Sequence, residues 1–394
     1  MNAWEPGTPV ETNFYNHAGD PVVYAPKVEA ASHGRTLVDL FSGCGGFSVG
    51  FAAAGFIPIL GIDLHEPSID TFRTNHPSSA AILGDIRSVD VGSVTSVLSG
   101  RPVDVVTAGV PCQGFSRTNR KRWDGDERNF LFLEFIRFIK TLQPHAVVLE
   151  NVSGIRSAAN GSFVRSISES IEASGYRVEA KVLNAADFGV PQKRQRVFFI
   201  GLREREGFVW PHPKYGPSET PYRTVLEAIG DLPALAPGEQ KDSYESAAQC
   251  EYQRLMRGEC RVLTNHRAPN HPADVIRRIE QTAQGEPMYP KFKQRIRLHN
   301  DSPSPTQVCG GIRPQFQFGH PTQSRGLSIR ERARIQSFPD SFIFSGGLTQ
   351  GRVQTGNAVP PLLAQALAES IRDSLDGKAR CAANSPVQMS LLHK

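Results

Sequence analysis

Short apolar runs alternate with amphipathic stretches between Thr36 and about Leu202. The runs are rich in Val, Ile and Leu, which is typical of buried strands. Six of them predict strands: Thr36–Leu40, Ile57–Ile62, Val103–Ala108, Ala146–Leu149, Arg177–Leu183 and Arg196–Gly201. Two amphipathic stretches predict helices, at Phe130–Leu142 and Phe163–Ser174. This alternation predicts an α/β fold with a mostly parallel sheet and helices on both faces.

Two of the predicted strands lead into residues that can carry chemistry. The apolar run Val103–Val110 continues into Pro111 and Cys112, and a glycine-containing turn follows. The run that ends at Leu149 continues into Glu150. Active sites of open α/β sheets lie beyond the carboxyl ends of their strands. A thiol and a carboxyl group are therefore predicted in one site, where together they can activate an electron-poor ring.

The pattern changes after Leu202, where Pro, Gly and Gln become frequent and the periodicity fades. Helical patterns return after Gly326, at Ser328–Gln336 and Pro361–Leu375. The start of the chain lacks a clear period, which predicts an extended or partly ordered arm. We divide the chain into an N-terminal extension, a main α/β domain, a smaller loop-rich domain, a C-terminal segment returning to the main domain and a tail, with bounds 1–34, 35–202, 203–325, 326–376 and 377–394.

Composition and charge narrow the class of protein. The 394 residues are 39% hydrophobic and 21% charged, which predicts a sizeable core in a soluble protein. The net charge of +5 is a weak bias toward a polyanionic partner. The six cysteines include no C-x-x-C pair, which argues against a zinc site or a disulfide framework. Because no apolar run of membrane-spanning length and no signal-peptide pattern occurs, we expect a cytoplasmic protein.

A glycine-rich loop follows the first predicted strand. Gly43, Gly45 and Gly46 permit a tight turn and a close approach of the backbone to a ligand, although a simple turn would explain them equally well. Asp63 ends the next strand, where a carboxylate can hold two ribose hydroxyls. Asp85 ends a third candidate strand and can accept from an adenine amino group. Because the loop lacks the G-x-G-x-x-G spacing of dinucleotide binders, S-adenosylmethionine is favoured over NAD.

With these motifs in view, the chain resembles the prokaryotic DNA (cytosine-5) methyltransferases. Eight segments resemble the family's blocks in their order: DLFSGCGGFSVGF (39–51), GIDLHEPSIDTFRTNHP (61–77), GDI (84–86), GVPCQGFS (109–116), ENV (150–152), QKRQRVFFIG (192–201), RERARIQSFPD (330–340) and QTGNAVPPLLAQAL (354–367). The resemblance implies a Rossmann-like, S-adenosylmethionine-dependent methyltransferase sheet. It also makes the segment 203–325 the target recognition domain. One departure is Asp63, where the family more often carries Glu.

The resemblance implies a covalent mechanism on a cytosine that is flipped out of duplex DNA. Cys112 is implied as the nucleophile that attacks C6 of the ring. Glu150 is implied to bind the N3 and N4 edge of the base, with a raised pKa once the site closes. Arg194 and Arg196 alternate along one strand and are implied to hold O2 of the cytosine, order Glu150 and neutralise a phosphate. The expected cofactor contacts are Phe41, Gly43, Gly45, Asp63, Asp85, Ile86, Pro111, Leu131, Asn357 and Val359.

Two basic segments are candidates for contacts with the DNA backbone. The first is the polar loop after Cys112, which contains Arg117, Arg120, Lys121 and Arg122. The alternating residues of the second predict a strand with one basic face, with ordinary surface charge as the alternative: Lys291, Lys293, Arg295 and Arg297. Thr306 resembles a threonine that occurs late in the family's recognition domain.

Other interpretations remain open at this point. An RNA cytosine-5 methyltransferase of the tRNA-methylating branch shares the catalytic domain, but its Cys-Phe-Thr motif is absent here. A catalytically inactive DNA-binding relative would have lost Cys112, Glu150 or the Q-x-R-x-R strand, and all three are present. We therefore expect a prokaryotic or phage enzyme that acts on double-stranded DNA as a monomer away from membranes. It is either a solitary methylase or the partner of a restriction endonuclease with the same target sequence.

Overall fold

The computed structural model describes residues 17–29, 31, 33–111, 131–203, 208–309 and 317–377. Cys112 and the basic residues Arg117, Arg120, Lys121 and Arg122 lie outside these residues, so their predicted roles stay predictions. Pro111 is the last described residue before Cys112. The tail predicted at 377–394 also lies outside the described residues, except for Gly377.

Ten strands occur in the described part of the chain. Their bounds are β1 (Val22–Tyr24), β2 (Thr36–Leu40), β3 (Ile57–Asp63), β4 (Ala80–Leu83), β5 (Val105–Gly109), β6 (Ala146–Val152), β7 (Arg177–Asn184), β8 (Gln192–Lys193), β9 (Gln195–Leu202) and β10 (Ser304–Pro305). Eight of them form one sheet in the order β1-β4-β3-β2-β5-β6-β9-β7, and β8 pairs with β10. The strands from β4 to β6 in that order are all parallel, whereas β1 and β9 run antiparallel to their neighbours. The prediction of a mostly parallel sheet is confirmed.

The described residues form eleven α-helices. Their bounds are α1 (Gly46–Ala53), α2 (Glu66–Asn75), α3 (Val91–Val97), α4 (Phe132–Leu142), α5 (Ser162–Glu172), α6 (Val225–Ile229), α7 (Glu251–Arg257), α8 (Ala273–Gln281), α9 (Ile329–Ile335), α10 (Leu348–Asn357) and α11 (Pro361–Leu375). The four helices predicted from periodicity correspond to α4, α5, α9 and α11. None of the helices in these ranges is both long and apolar enough to cross a membrane.

Helices cover both faces of the sheet, because neighbouring residues of a strand point to opposite sides. Val106 of β5 belongs to an apolar cluster with Phe135 of α4. The preceding residue, Val105, belongs to a second cluster with Phe51 of α1 and Leu367 of α11. Both valines are fully buried, which explains why the strands appear in the sequence as continuous apolar runs.

Helix α11, near the C-terminal end of the described residues, lies against α1. Helix α11 packs against α1 so closely that a Cβ added at Gly50 would lie 2.5 Å from the Cβ of Ala364. A Cβ at Gly46 would collide with the backbone of Val359. Glycine at these two positions therefore lets the return segment lie directly on the helix that follows the glycine-rich loop.

The prediction of a basic strand at residues 291–297 is wrong. This stretch forms turns and isolated bridges, and only Lys291 and Lys293 among its four cations are exposed. Arg295 is buried, with its guanidinium 4.5 Å from the centre of the Phe292 ring. Arg297 donates to the carbonyl oxygens of Ile279, Glu280 and Thr282 at the end of α8. The last carbonyls of a helix lack partners within it, so Arg297 stabilises that helix end.

Segment 1–34 contributes β1 to the edge of the sheet. β1 pairs antiparallel with β4 in the main sheet. The boundary predicted at residue 34 therefore divides β1 from the sheet to which it belongs. Nothing in the sequence pattern predicted this pairing, since three residues are too few to show an alternation. Within 203–325, the described residues form three helices and β10.

Candidate active site

The parallel strands β2, β3, β5 and β6 place their carboxyl ends at one edge of the sheet. Gly109, the last residue of β5, lies opposite Glu150 of β6. A Cβ added at Gly109 would lie 3.6 Å from the Phe41 carbonyl oxygen and 4.0 Å from Oε2 of Glu150. The Glu150 carboxylate therefore faces the end of the strand that leads, through Pro111, to Cys112.

Glu150 is a buried carboxyl group with an arginine partner. It is 7% exposed, and its Oε1 lies 2.9 Å from Nε of Arg196. The two meet because β9 runs antiparallel to β6 with Arg196 opposite Val152, two residues beyond Glu150. Burial raises the pKa of Glu150, and the positive charges of Arg196 and Arg194 oppose that rise without cancelling it. The raised pKa expected from the sequence is thus present in the protein alone.

Arg194 joins three segments of the chain at this site. It is 1% exposed, and it donates to the carbonyl oxygens of Gln307 at 3.1 Å and Asn357 at 3.4 Å. Burial lowers the pKa of Arg194, as does the like charge of Arg196 nearby. Within the described residues its Nε has no hydrogen-bond partner, although it is buried.

Asn151 is a positioning residue that the sequence analysis did not single out. Its Nδ2 donates to the carbonyl oxygen of Val110 at 3.4 Å, and its Oδ1 accepts from the amide of Val152 at 2.8 Å. These bonds tie the end of β6 to the chain just before Pro111. The backbone that leads to Cys112 is thereby held beside Glu150. The signal in the sequence that could have identified Asn151 was a second polar residue directly after Glu150, at the end of an apolar run.

The glycine-rich loop is held by Asp63. The amide of Gly43 donates to Oδ2 of Asp63 and the amide of His65 donates to Oδ1, both at 2.8 Å. Burial raises the pKa of Asp63, and these two donors oppose the rise. Phe41 and Gly43 have positive φ angles of 52° and 53°, and a Cβ added at Gly43 would meet no atom of the described residues within 4 Å. The loop therefore bends sharply, and no described residue fills the space next to a carboxyl group that retains lone pairs.

The other predicted cofactor residues divide into two groups. Phe41 and Leu131 pack, half-buried, against the apolar cluster that contains Ile86. Asp85 is bonded to Arg87, with Oδ2 2.6 Å from Nη2, and this bond lowers the pKa of the carboxyl group. A second group lies around the loop itself: Gly45 caps the start of α1, Val359 packs on Gly46, Asn357 is exposed and Pro111 is half-buried.

The 203–325 segment is attached to the strand that carries Arg194. The hydroxyl of Thr306 donates to the carbonyl oxygen of Lys193 at 2.8 Å. The fully buried Gln192 accepts from the amide of Gln307 at 2.8 Å and donates to the side chain of Gln336 at 2.9 Å. Gln192 thus links three segments that are far apart in the chain, a role that its place in the Q-x-R-x-R motif did not reveal.

Helix α9 carries a buried ionic network that the sequence analysis also missed. Glu331 accepts from both terminal nitrogens of Arg325, at 2.8 and 2.6 Å. Arg334 donates to Asp340 at 2.6 Å and to Asp231 at 2.9 Å. Arg325 and its neighbours lower the pKa of Glu331 although burial would raise it. These pairs fasten the return segment to the segment that precedes it.

Asp39 lies directly beneath the glycine-rich loop. It is 1% exposed and accepts from the hydroxyls of Ser48 in α1 and Thr107 in β5, both at 2.8 Å. Burial raises the pKa of Asp39 from 3.8 to about 7, although both hydroxyls oppose the rise. One carboxyl group therefore joins two strands and a helix below the loop. An acid within an otherwise apolar strand was the signal in the sequence.

Asp39→Asn is expected to raise the free energy of unfolding at neutral pH, because it removes a carboxyl group whose raised pKa destabilises the folded protein there. The carboxyl group titrates near 3.8 in the unfolded chain and at about 7 in the folded protein. Between these values the folded state keeps a proton that the unfolded state has released, so the free energy of unfolding falls as pH rises. The loss is on the order of 4 kcal/mol. Asn stays neutral and can still bond to both hydroxyls.

Denaturant unfolding of both proteins at several pH values between about 4 and 8 measures this difference. The stability of Asp39→Asn relative to the unsubstituted protein should increase across that range and level off above about 7. A difference that does not change with pH would contradict the raised pKa of Asp39.

Comparison with known sequences places these features in a family. The profile of the family C-5 cytosine-specific DNA methylase matches residues 35–373. The Type II methyltransferase M1.HphI of Haemophilus parahaemolyticus is 38% identical over 348 residues, which cover 85% of this chain and 86% of that protein. The Type II methyltransferase M.DdeI of Desulfomicrobium norvegicum is 39% identical over 369 residues, covering 85% and 88% of the two chains.

Solved structures show the same architecture. A candidate DNA modification methyltransferase from a prophage of Escherichia coli superposes with a TM-score of 0.74 at 24% identity, covering 87% of this chain and 99% of that one. The Dnmt2 methyltransferase of S. pombe gives a TM-score of 0.59 at 16% identity, with 87% and 99% of the chains covered. At these identities the likeness establishes the fold, which is the α/β fold of methyltransferases.

Proposed function

The chain belongs to the family of C-5 cytosine-specific DNA methylases, and from this premise we propose that it transfers a methyl group from S-adenosylmethionine to C5 of a cytosine in a specific duplex DNA sequence. The observation that carries the proposal is the place of Glu150. This buried acid, with its raised pKa and its ion pair to Arg196, faces the strand end that leads to Cys112.

The chemistry explains why these groups are needed together. Cytosine C5 is a poor nucleophile, but addition of the Cys112 thiolate to C6 converts the ring into an enamine that reacts at C5. The raised pKa of Glu150 favours sharing of a proton with N3, which stabilises the charge that develops there. Once C5 has gained the methyl group, with S-adenosylhomocysteine as the leaving group, a base such as solvent water takes the C5 proton. Departure of the Cys112 sulfur as a thiolate then restores the aromatic ring. The target base must leave the DNA stack to reach this pocket.

The residues around the glycine-rich loop fit the proposed cofactor. Among the described residues nothing fills the space beside Gly43, and Asp63 keeps lone pairs for two ribose hydroxyls. Asp85, ionised and half-buried, can accept from an adenine amino group, next to the apolar side chains of Ile86 and Phe41. When bound, S-adenosylmethionine supplies an electrophilic methyl group. The chain's own contribution is to orient this group toward C5 and to exclude water.

We further propose that residues 203–325 recognise the DNA sequence. Thr306 and Gln307 attach this segment to Lys193 and Gln192, the residues that directly precede Arg194, which supports a role close to the target base. The exposed cations of its basic stretch suit contacts with phosphates, which position a protein on DNA without reading sequence. The loop after Cys112 would supply further phosphate contacts.

Similarity to Type II methyltransferases supports a biological setting. We propose that the chain acts in the cytoplasm as a monomer and protects DNA from a restriction endonuclease that recognises the same sequence.

Incubation of the purified protein with radiolabelled S-adenosylmethionine and either duplex DNA or tRNA tests the substrate class. The proposal predicts label in duplex DNA, recovered as 5-methylcytosine. Label that appears only in tRNA would replace DNA by RNA as the substrate. Label in neither, from a protein that still binds S-adenosylmethionine and DNA, would indicate an inactive DNA-binding relative.

A further inference from the structure

The described part of the N-terminal extension crosses the edge of the sheet at which the proposed cofactor residues lie. β1 runs antiparallel to β4, with Val22 opposite Leu83. Because β4 ends at Leu83, the residues just before Val22 lie beyond the carboxyl end of β4. The same edge carries Asp63 at the end of β3 and Asp85 just after β4.

One contact holds this segment next to Asp63. The amide of His17 donates to the carbonyl oxygen of Leu64 at 3.0 Å. Leu64 directly follows Asp63, the acid proposed to hold the ribose. The ring of His17 also lies 2.7 Å from the carbonyl oxygen of Asp20, which closes the segment into a compact turn. The turn therefore rests on the backbone beside the ribose position.

A second contact holds the segment next to Asp85. Pro21 lies so close to Gly84 that a Cβ added at Gly84 would be 2.9 Å from the Cα of Pro21. Gly84 directly precedes Asp85, the acid proposed to bind the adenine amino group. Residues 17–21 thus contact the residues next to Asp63 and Asp85 in the chain. They approach from the edge of the sheet that β1 forms.

The extension is fastened at points that do not involve the cofactor residues. The guanidinium of Arg73 in α2 lies 3.7 Å from the centre of the Tyr24 ring. Farther along, the amide of Lys27 donates to the carbonyl oxygen of Pro77 at 2.7 Å. These two attachments hold the extension at the far end of β1 and beyond it, whereas residues 17–21 are held by their own contacts with Leu64 and Gly84.

We propose that residues 17–21 form a wall of the site that receives the adenosine end of S-adenosylmethionine, an inference that rests on the proposed function. The wall lies across the ends of β3 and β4, so the nucleoside binds between it and the glycine-rich loop. Cofactor binding and ordering of the extension are then coupled, and each stabilises the other to the same extent.

Hydrogen exchange of the full chain, with and without S-adenosylmethionine, tests this coupling. Added cofactor should slow exchange at the amides of Gly43 and Cys44 in the loop and also at those of residues 17–20. Slower exchange in the loop alone would overturn the inference and leave the proposed cofactor intact. Unchanged exchange in both places would show that the proposed cofactor itself is wrong.

His17→Pro gives an independent test, because proline has no amide hydrogen to donate to Leu64. Loss of one hydrogen bond is expected to weaken binding of S-adenosylhomocysteine about fivefold, measured by calorimetry. The matched control is Tyr24→Ala, which removes the contact with Arg73 at the far end of β1. This control should lower the thermal midpoint and leave the dissociation constant unchanged. Equal affinity of His17→Pro and the unsubstituted protein would overturn the inference.

Discussion

Replacement of Cys112 by alanine is expected to abolish methyl transfer, while binding of DNA and of S-adenosylmethionine persists. Without the thiolate nothing adds to C6, and C5 stays too weak a nucleophile to react. Loss of a covalent nucleophile lowers turnover by at least about 10⁴-fold in enzymes of this kind. Transfer of radiolabelled methyl groups to duplex DNA measures the loss, and a mobility shift measures the remaining DNA binding.

Cys260→Ala is the matched control for this substitution. Cys260 is a free, half-buried cysteine of the 203–325 segment, and its thiol bonds to the carbonyl oxygen of Val262. Its replacement should leave transfer close to that of the unsubstituted protein. Methylation at the normal rate by Cys112→Ala would remove the covalent mechanism from the account.

Replacement of Glu150 by glutamine is expected to lower turnover by about 10²–10⁴-fold, the usual contribution of a general acid. Glutamine keeps the shape of the side chain but has no acidic proton that it can transfer to N3 of the base. The fold should survive, because burial already favours the neutral form of Glu150. Single-turnover measurements at saturating DNA and S-adenosylmethionine separate the chemical step from binding.

The pH dependence gives a second readout for the same variant. Because the pKa of Glu150 is raised, the proton is held at higher pH than usual, and the rate should fall as pH rises through that value. Glu150→Gln should lack this decline. The control is Glu179→Gln in β7, a carboxyl group that accepts from Trp210 and should not affect the rate. Turnover of Glu150→Gln equal to that of the control would remove Glu150 from the chemistry.

Most of the main domain could be predicted because its buried strands are continuous apolar runs. β2 and α11 occur with the bounds that the pattern predicts, and the other predicted strands agree to within three residues. Placing Glu150 near the end of β6 also needed only the local pattern. The family resemblance then supplied roles that no single run of residues could define.

Contacts between distant segments could not be predicted in the same way. Whether Arg196 reaches Glu150 depends on the register of β9 against β6, which the local sequence does not specify. The alternation at residues 291–297 imitates a strand, but the carbonyls at the end of α8 hold Arg297 instead. β1 depends likewise on an edge that only the folded sheet provides.

The most direct test of the central claim is sequencing of genomic DNA from cells that express the chain, by a method that distinguishes 5-methylcytosine from cytosine. The account predicts methylation of one cytosine within one short motif, absent from cells that express Cys112→Ala. Genomic DNA without such a motif, from cells that contain folded protein able to bind S-adenosylmethionine, would contradict it.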